Sequence, residues 1–237
     1  MHGEGHGFLW LTSLPGLHHA PVHVITALFV ALGLALCAFV VRGQLVRAQT
    51  GGSALIPESR LSFRNFFEIV AEQLYRFVVM ILGEEKAPLY YPLVGTLFIF
   101  IFFSNLIGMI PGFLPPTDNL NTTLAMGAFV FVYYNYVGFK EHGMSYLKQF
   151  MGPVWWMAWL LIPIELISHC VRPFTLGLRL RGNMVGDHMV LTIFLEKTPY
   201  LVPVIFYGFG LFVCFVQAFV FCLLTMIYIM LATSHDH

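Results

Sequence analysis

The chain has 237 residues, 58% of them hydrophobic and only 10% charged, with Lys+Arg and Asp+Glu balanced at 12 each. An average soluble domain carries about 25% charged residues, so a soluble fold is excluded, and no net field argues for nucleic acid or an acidic partner. The scattered cysteines, Cys37, Cys170, Cys214 and Cys222, read as buried structural thiols rather than disulfides or a metal cluster.

Residues 1–7 lack the basic region of a cleaved signal peptide, so insertion is expected from the first span itself. The histidines His2, His6, His18, His19 and His23 have only Glu4 as a nearby carboxylate, so no metal site is expected there. A bilayer core of about 30 Å needs roughly 20 apolar helical residues. Residues 22–41 supply the first such run, free of charge.

Arg60, Arg64, Glu68, Glu72 and Arg76 then recur every four residues, drawing one charged stripe along a helix over about 60–83. Phe66, Phe67, Ile69, Val70, Leu74 and Val78 fill its other faces. That pattern predicts an amphipathic helix at a membrane surface or on a partner, with i,i+4 pairs Arg64–Glu68 and Glu72–Arg76. Spans follow over 90–113 and 122–139, the latter opening on Asn121, Thr122 and Thr123 as cap-like residues.

Residues 155–194 stay hydrophobic while carrying Glu165, Arg172, Arg179, Arg181 and Asp187, and are too long for one upright span. Trp155, Trp156 and Trp159 at its start are interface anchors. A last overlong span covers 200–232, in which Gly208-Phe-Gly210 is helix packing and no phosphate loop. The expected fold is an all-α integral membrane protein forming a single membrane domain over 1–237. It has about five transmembrane helices plus one amphipathic interfacial helix, the last two spans making a long tilted membrane hairpin.

Basic residues set the orientation. Arg42, Arg47, Arg60 and Arg64 after the first span, and Lys140 and Lys148 after the third, place those loops in the cytoplasm. The N-terminus then lies outside and the C-terminus in the cytoplasm.

A charged side chain at membrane depth costs about 2.5–3.5 kcal/mol on insertion scales and points by default to function. On a helix turning about 100° per residue, Arg172 falls about 20° from Arg179, and Glu165 and Asn183 about 40° from it. Glu165, Arg172, Arg179 and Asn183 therefore share one face, Arg181 and His188 point nearly opposite, and Asp187 lies to the side. The i±3 and i±4 neighbours of Arg179 are Leu176, Gly182, Thr175 and Asn183, none acidic. An arginine cannot shed its proton to escape desolvation, so its counter-charge must come from water, a distant segment or another chain. Gly177, Gly182 and Gly186 would let another helix approach. Two titratable stations, Glu165 toward the cytoplasm and Asp187/His188 toward the outside, flank a fixed positive charge and suggest two half-pathways for an ion. A hydrolytic site is not suggested. His169 is expected to donate a hydrogen bond in the core, and Arg172 to bridge helices or snorkel at least as readily as to handle protons.

The stretch Pro173-Phe-Thr-Leu-Gly-Leu-Arg-Leu-Arg-Gly-Asn-Met184 resembles the signature of subunit a of the rotary F-type ATP synthase. The last span, with Gln217-Ala-Phe219 and Leu224-Thr-Met-Ile-Tyr228, resembles that family's final helix, and the runs 104–112 and 120–123 are similar to it too. The resemblance implies a proton-translocating stator subunit of the Fo sector, with two offset half-channels that couple proton flow to ring rotation and ATP synthesis. It implies that Arg179 faces the carboxylates of a ring of c subunits, favours their ionised form and blocks direct proton passage. Asn183 and Gln217 match polar residues near this arginine, Glu165 an acidic position of the cytoplasmic half-channel, and His188 a position of the outer one. Arg181 stands where an aromatic residue is expected. Gly210 falls where relatives often carry a titratable group, for which Asp187 is the inferred substitute.

The implied partners are the c-subunit ring, b-type peripheral stalk subunits, other ATP synthase subunits and membrane lipid, with no cofactor, no metal and no nucleic acid. The expected location is a bacterial inner membrane, and nucleotide chemistry is expected in partner subunits. Two rival readings are a self-contained ion-coupled secondary transporter, whose paired repeats are not seen, and a structural scaffold, which gives no reason for Arg179 and Glu165 at depth.

Overall fold

The computed structural model describes residues 21–50, 63–110, 113–143, 146, 158–197 and 201–233. Among these residues the chain is all-helical: α1 (Val22–Thr50), α2 (Phe63–Leu82), α3 (Ala87–Ile107), a short 3₁₀ turn (Pro116–Asp118), α4 (Leu120–His142), α5 (Ala158–Lys197) and α6 (Leu201–Thr233). The Trp155 and Trp156 anchors, the four histidines before residue 20, and the chain ends used for orientation lie outside the described residues.

Several boundaries differ from the sequence expectation for identifiable reasons. The strong helix formers Arg42, Gln44, Leu45 and Arg47 carry α1 past Val41 to Thr50. α3 starts earlier, with proline in its first turn, and stops at Ile107 although the apolar run continues. The Gly108 N–H donates back to the Asn105 carbonyl and the Met109 N–H to the Leu106 carbonyl, and Pro111 disfavours helix in the residue before it. The cap of α4 is Asn119 rather than Asn121–Thr123: its side chain accepts the Asn121 N–H at 2.9 Å. α4 ends at Gly143, whose φ of 56° suits glycine.

Three helices are long and apolar enough to cross a membrane by length and composition: Val22–Gln44, Ala87–Ile107 and Val204–Thr233. α4 is diluted by Asn121, Asn135 and its tyrosines, and α5 by its charges. α5 has 40 residues, about 60 Å of helix at 1.5 Å per residue, twice the thickness of a bilayer core.

The core runs through α2, α3, α4, α5 and α6. Val78, Tyr90, Val94, Ile101, Tyr134, Leu180, Met226 and Ile229 are buried at its centre. α4 packs along α5 and α6, and α3 along α6. The α4–α5 approach is close because two glycines remove side chains from it. A Cβ on Gly127 would meet the Pro173 carbonyl oxygen at 2.5 Å, and one on Gly177 the Thr123 carbonyl at 3.0 Å. α2 packs on α3, α1 and α6, and both expected ion pairs form: Arg64–Glu68 at 2.7 Å and Arg76–Glu72 at 2.6 Å. Its charged edge is not all outward, since Arg64 is buried. By contrast Leu32, Phe39, Met80, Trp159 and Val204 are strongly exposed, far more apolar surface than a soluble monomer carries.

Candidate functional site

α5 organises the site because it carries all but one of the expected residues, and Pro163 and Pro173 within it remove two backbone donors. Close to Pro173 the Thr175 hydroxyl donates to the Arg172 carbonyl at 2.9 Å.

Arg179 lies on an exposed face of α5 beside Leu178, Phe174 and Val171, all exposed. Among the described residues no side chain forms an ion pair or hydrogen bond with it. Asn183, one turn on, is exposed on the same side, and nothing stands within 4 Å of a Cβ built on Gly182 or Gly186. Gly177 behaves differently from the other two, since α4 already fills its approach. Arg181 points away from Arg179 and donates through Nε to the Asp118 carbonyl at 3.2 Å, tying α5 to the 3₁₀ turn. Gln217 is buried on α6.

Toward the N-terminal end of α5 lies a cavity of about 130 Å³ lined by Tyr134, Tyr146, Glu165, His169, Arg172 and Tyr228. It is polar and roomy enough for several waters. Arg172 Nη2 stands 3.6 Å from Glu165 Oε1, and its guanidinium lies 5.3 Å from the centroid of the Tyr228 ring on α6. At the back of the cavity, Asn135 is fixed by three contacts. Its Nδ2 donates to the Phe131 carbonyl at 2.7 Å, while its Oδ1 accepts from the Tyr146 hydroxyl at 3.2 Å and faces His169 Nε2 at 2.8 Å. An amide oxygen only accepts, so this contact is a hydrogen bond in the tautomer that carries the proton on Nε2. Burial pushes the Tyr146 phenol above its ordinary pKa, with the Arg172 charge pulling the other way; it stays a protonated donor.

Toward the C-terminal end, Asp187 faces α6 across a narrow cleft with Gly108, Met109, Met184, Leu191, Phe206 and Gly210. A Cβ built on Gly210 would stand 3.1 Å from Asp187 Oδ2 and 3.3 Å from Met109 Cε. The Asp187 carboxylate thus occupies the space a side chain at 210 would need. His188 lies in α5, but its side chain falls outside the described residues.

Glu165 and Asp187 do not meet. They are 22 positions apart on one helix, about 33 Å at 1.5 Å per residue, with Arg179 between them. Tyr134 and Asn135 on α4, Tyr146 beyond it and Tyr228 on α6 were missed as site residues by sequence reasoning, because a tyrosine or an asparagine in an aromatic-rich stretch looks like ordinary packing. Also missed was a buried polar step in α3, where Asn105 Oδ1 accepts from the Thr117 hydroxyl at 2.6 Å. Among the described residues, Asn105 Nδ2 and Ser104 Oγ beside it have no partner. No group of three metal-ligating side chains occurs among the described residues.

Comparison with known proteins places relatives beside this geometry. Residues 23–230 match the family described as ATP synthase A chain. The protein named ATP synthase subunit a of Bdellovibrio bacteriovorus is 48% identical over 233 residues, covering 97% of this chain and 99% of that one. Its namesake in Geobacter sulfurreducens is 49% identical over 174 residues, 73% of this chain and 76% of the relative. That of Sorangium cellulosum is 44% identical over 215 residues, 90% and 83% of the two chains.

Proposed function

The chain belongs to the ATP synthase A chain family, and from that premise we propose that it provides two offset half-channels and the stator arginine of the Fo sector. As a subunit of that family it is a membrane component of ATP synthase. In the proposed mechanism a proton enters one half-channel, neutralises a carboxylate of the c ring, and leaves through the other after the ring turns. Arg179 sits between the half-channels, favours the ionised carboxylate by its fixed charge and cannot relay a proton itself.

The observation that carries this reading is Arg179 itself. Its guanidinium is exposed among apolar side chains of α5 without an ion pair or hydrogen bond among the described residues. A charge at membrane depth left like this calls for a partner carboxylate. Glu165 and its polar cavity fit the cytoplasmic half-channel. Asp187, with His188, fits the outer one, and the contact with Gly210 supports Asp187 as the substitute for the group absent from α6. Asn183 beside Arg179 and Gln217 on α6 supply the polar surroundings of the crossing point.

In this reading α1, α3, α4, α5 and α6 span the membrane, α5 and α6 as a tilted hairpin, and α2 lies at the interface. The N-terminus faces outward and the C-terminus the cytoplasm, in a bacterial inner membrane. The partners are the c ring, b-type stalk subunits and the remaining ATP synthase subunits, which carry the nucleotide chemistry. The test is Arg179→Ala in inverted membrane vesicles. ATP-driven proton pumping is expected to vanish while the complex still assembles, with Arg172→Ala milder. Retained pumping in Arg179→Ala would sink the proposal.

A further inference from the structure

Arg172 is the second guanidinium on the arginine face of α5, two turns before Arg179 and about 20° from it around the helix. Its surroundings are nevertheless different. Arg179 is exposed, whereas the Arg172 side chain is only 24% exposed and turns inward to the Tyr228 ring. A cation 5.3 Å from the centroid of a tyrosine ring is attracted to the ring's negative face. From that position the guanidinium also reaches Glu165 at 3.6 Å, seven residues back on its own helix. Cα–Cβ bonds on a helix tilt toward its N-terminus, so a long side chain at 172 reaches naturally toward 165.

A pair this open to solvent contributes little to stability, with Glu165 48% exposed at its side chain. Its consequence is placement. Without the ring, only Glu165 and the neighbouring Tyr134 phenol hold Arg172, and its long side chain can extend along the exposed face of α5. There it would compete with Arg179 for a passing carboxylate and release Glu165 from the cavity mouth.

The geometry points to Arg172 as a positioning residue for translocation: the Tyr228 ring on α6 brackets its guanidinium, which in turn holds the Glu165 carboxylate at the mouth of the polar cavity. The other ionisable groups facing this site are His169 on α5, Tyr134 on α4 and Tyr146 beyond it. None of them carries a fixed charge, so among the described residues Arg172 is the one permanent charge lining the cavity beside Glu165. The inference rests on Glu165 acting in the cytoplasmic half-channel.

The test is ATP-driven proton pumping by the assembled complex, normalised to the amount of complex, in a series at position 228. Tyr228→Phe keeps the ring and is expected to pump as the parent does. Phenylalanines carrying one, two and three fluorines at 228 change the size little but drain the ring face of negative charge. Pumping is expected to fall stepwise across that series, by roughly threefold to tenfold in all. The same series placed in an Arg172→Gln or Glu165→Gln background is expected to be flat, because the bracket is already broken. Arg172→Lys, which keeps a cation for the ring, is expected to recover most of what Arg172→Gln loses. A flat fluorine series in the parent background overturns the bracket. So does a full loss already in Tyr228→Phe, which would assign the work to the hydroxyl. A series that declines equally in the Glu165→Gln background also overturns it, while leaving the half-channel intact. Unchanged pumping in Glu165→Gln alone overturns the half-channel reading and the bracket with it.

Discussion

At the scale of single residues, the site is a matter of which charges find partners inside the chain. Arg64, Arg76 and Arg172 each meet a carboxylate of their own helix, and Arg181 meets a backbone carbonyl. Arg179 alone of the arginines on α5 has none among the described residues, which is why its removal is expected to abolish pumping rather than weaken it. Glu165 lends itself to a finer test. At alkaline pH protons are scarce, and a carboxylate at the cavity mouth matters most for collecting them. Glu165→Gln is therefore expected to slow proton flux more at alkaline than at acid pH, and an unchanged pH profile in vesicle flux assays would leave Glu165 structural. The residues that stood out in the sequence were those whose chemistry is costly in a membrane, Glu165, Arg179 and Asp187, because an ionisable group at depth points by default to function. Tyr228, Tyr134 and Asn135 did not stand out. A tyrosine on an apolar helix is cheap to bury, and only the fold shows which ring lies under a guanidinium.

At the scale of helices, small residues decide what touches what. Gly127 and Gly177 let α4 lie against the backbone of α5, the two helices that bring Tyr134, Glu165, His169 and Arg172 to one cavity. Gly127→Ala would force a Cβ to 2.5 Å from the Pro173 carbonyl oxygen, an overpacking against backbone of about 1–3 kcal/mol. Heat-induced dissociation of the purified complex is expected several degrees lower, whereas Gly33→Ala, with nothing within 4 Å, is expected to leave it unchanged. On the other side of Arg179, α5 and α6 share one space between Asp187 and Gly210. Gly210→Glu crowds the Asp187 carboxylate with a second one and is expected to depress ATP-driven pumping. Adding Asp187→Gly is expected to restore it, because the carboxylate then enters the same space from α6. Failure of that rescue would contradict the substitution. Helix order and approximate extents could be read from apolar runs. The ends could not, because α1 continues on propensity beyond its apolar run, and α3 stops within one at Gly108.

At the scale of the molecule, the surface is divided by chemistry. Apolar side chains cover α1 and the outer faces of α5 and α6, as a lipid- or protein-covered surface requires. On α5 that surface carries Arg179 and Asn183, with open space over Gly182 and Gly186. This combination of small residues, an apolar surround and a cation uncompensated among the described residues fits a helix bearing a carboxylate. The central claim is that the footprint belongs to the c ring. It is tested most directly by placing a cysteine at Leu178→Cys or Asn183→Cys, both exposed, and oxidising native membranes with cysteines placed along the outer helix of the c subunit. The expected result is a product containing this chain and one c subunit, formed at both positions and lost when the cysteine is moved to the buried Leu180→Cys. No product at either position, with the complex intact, would contradict the account.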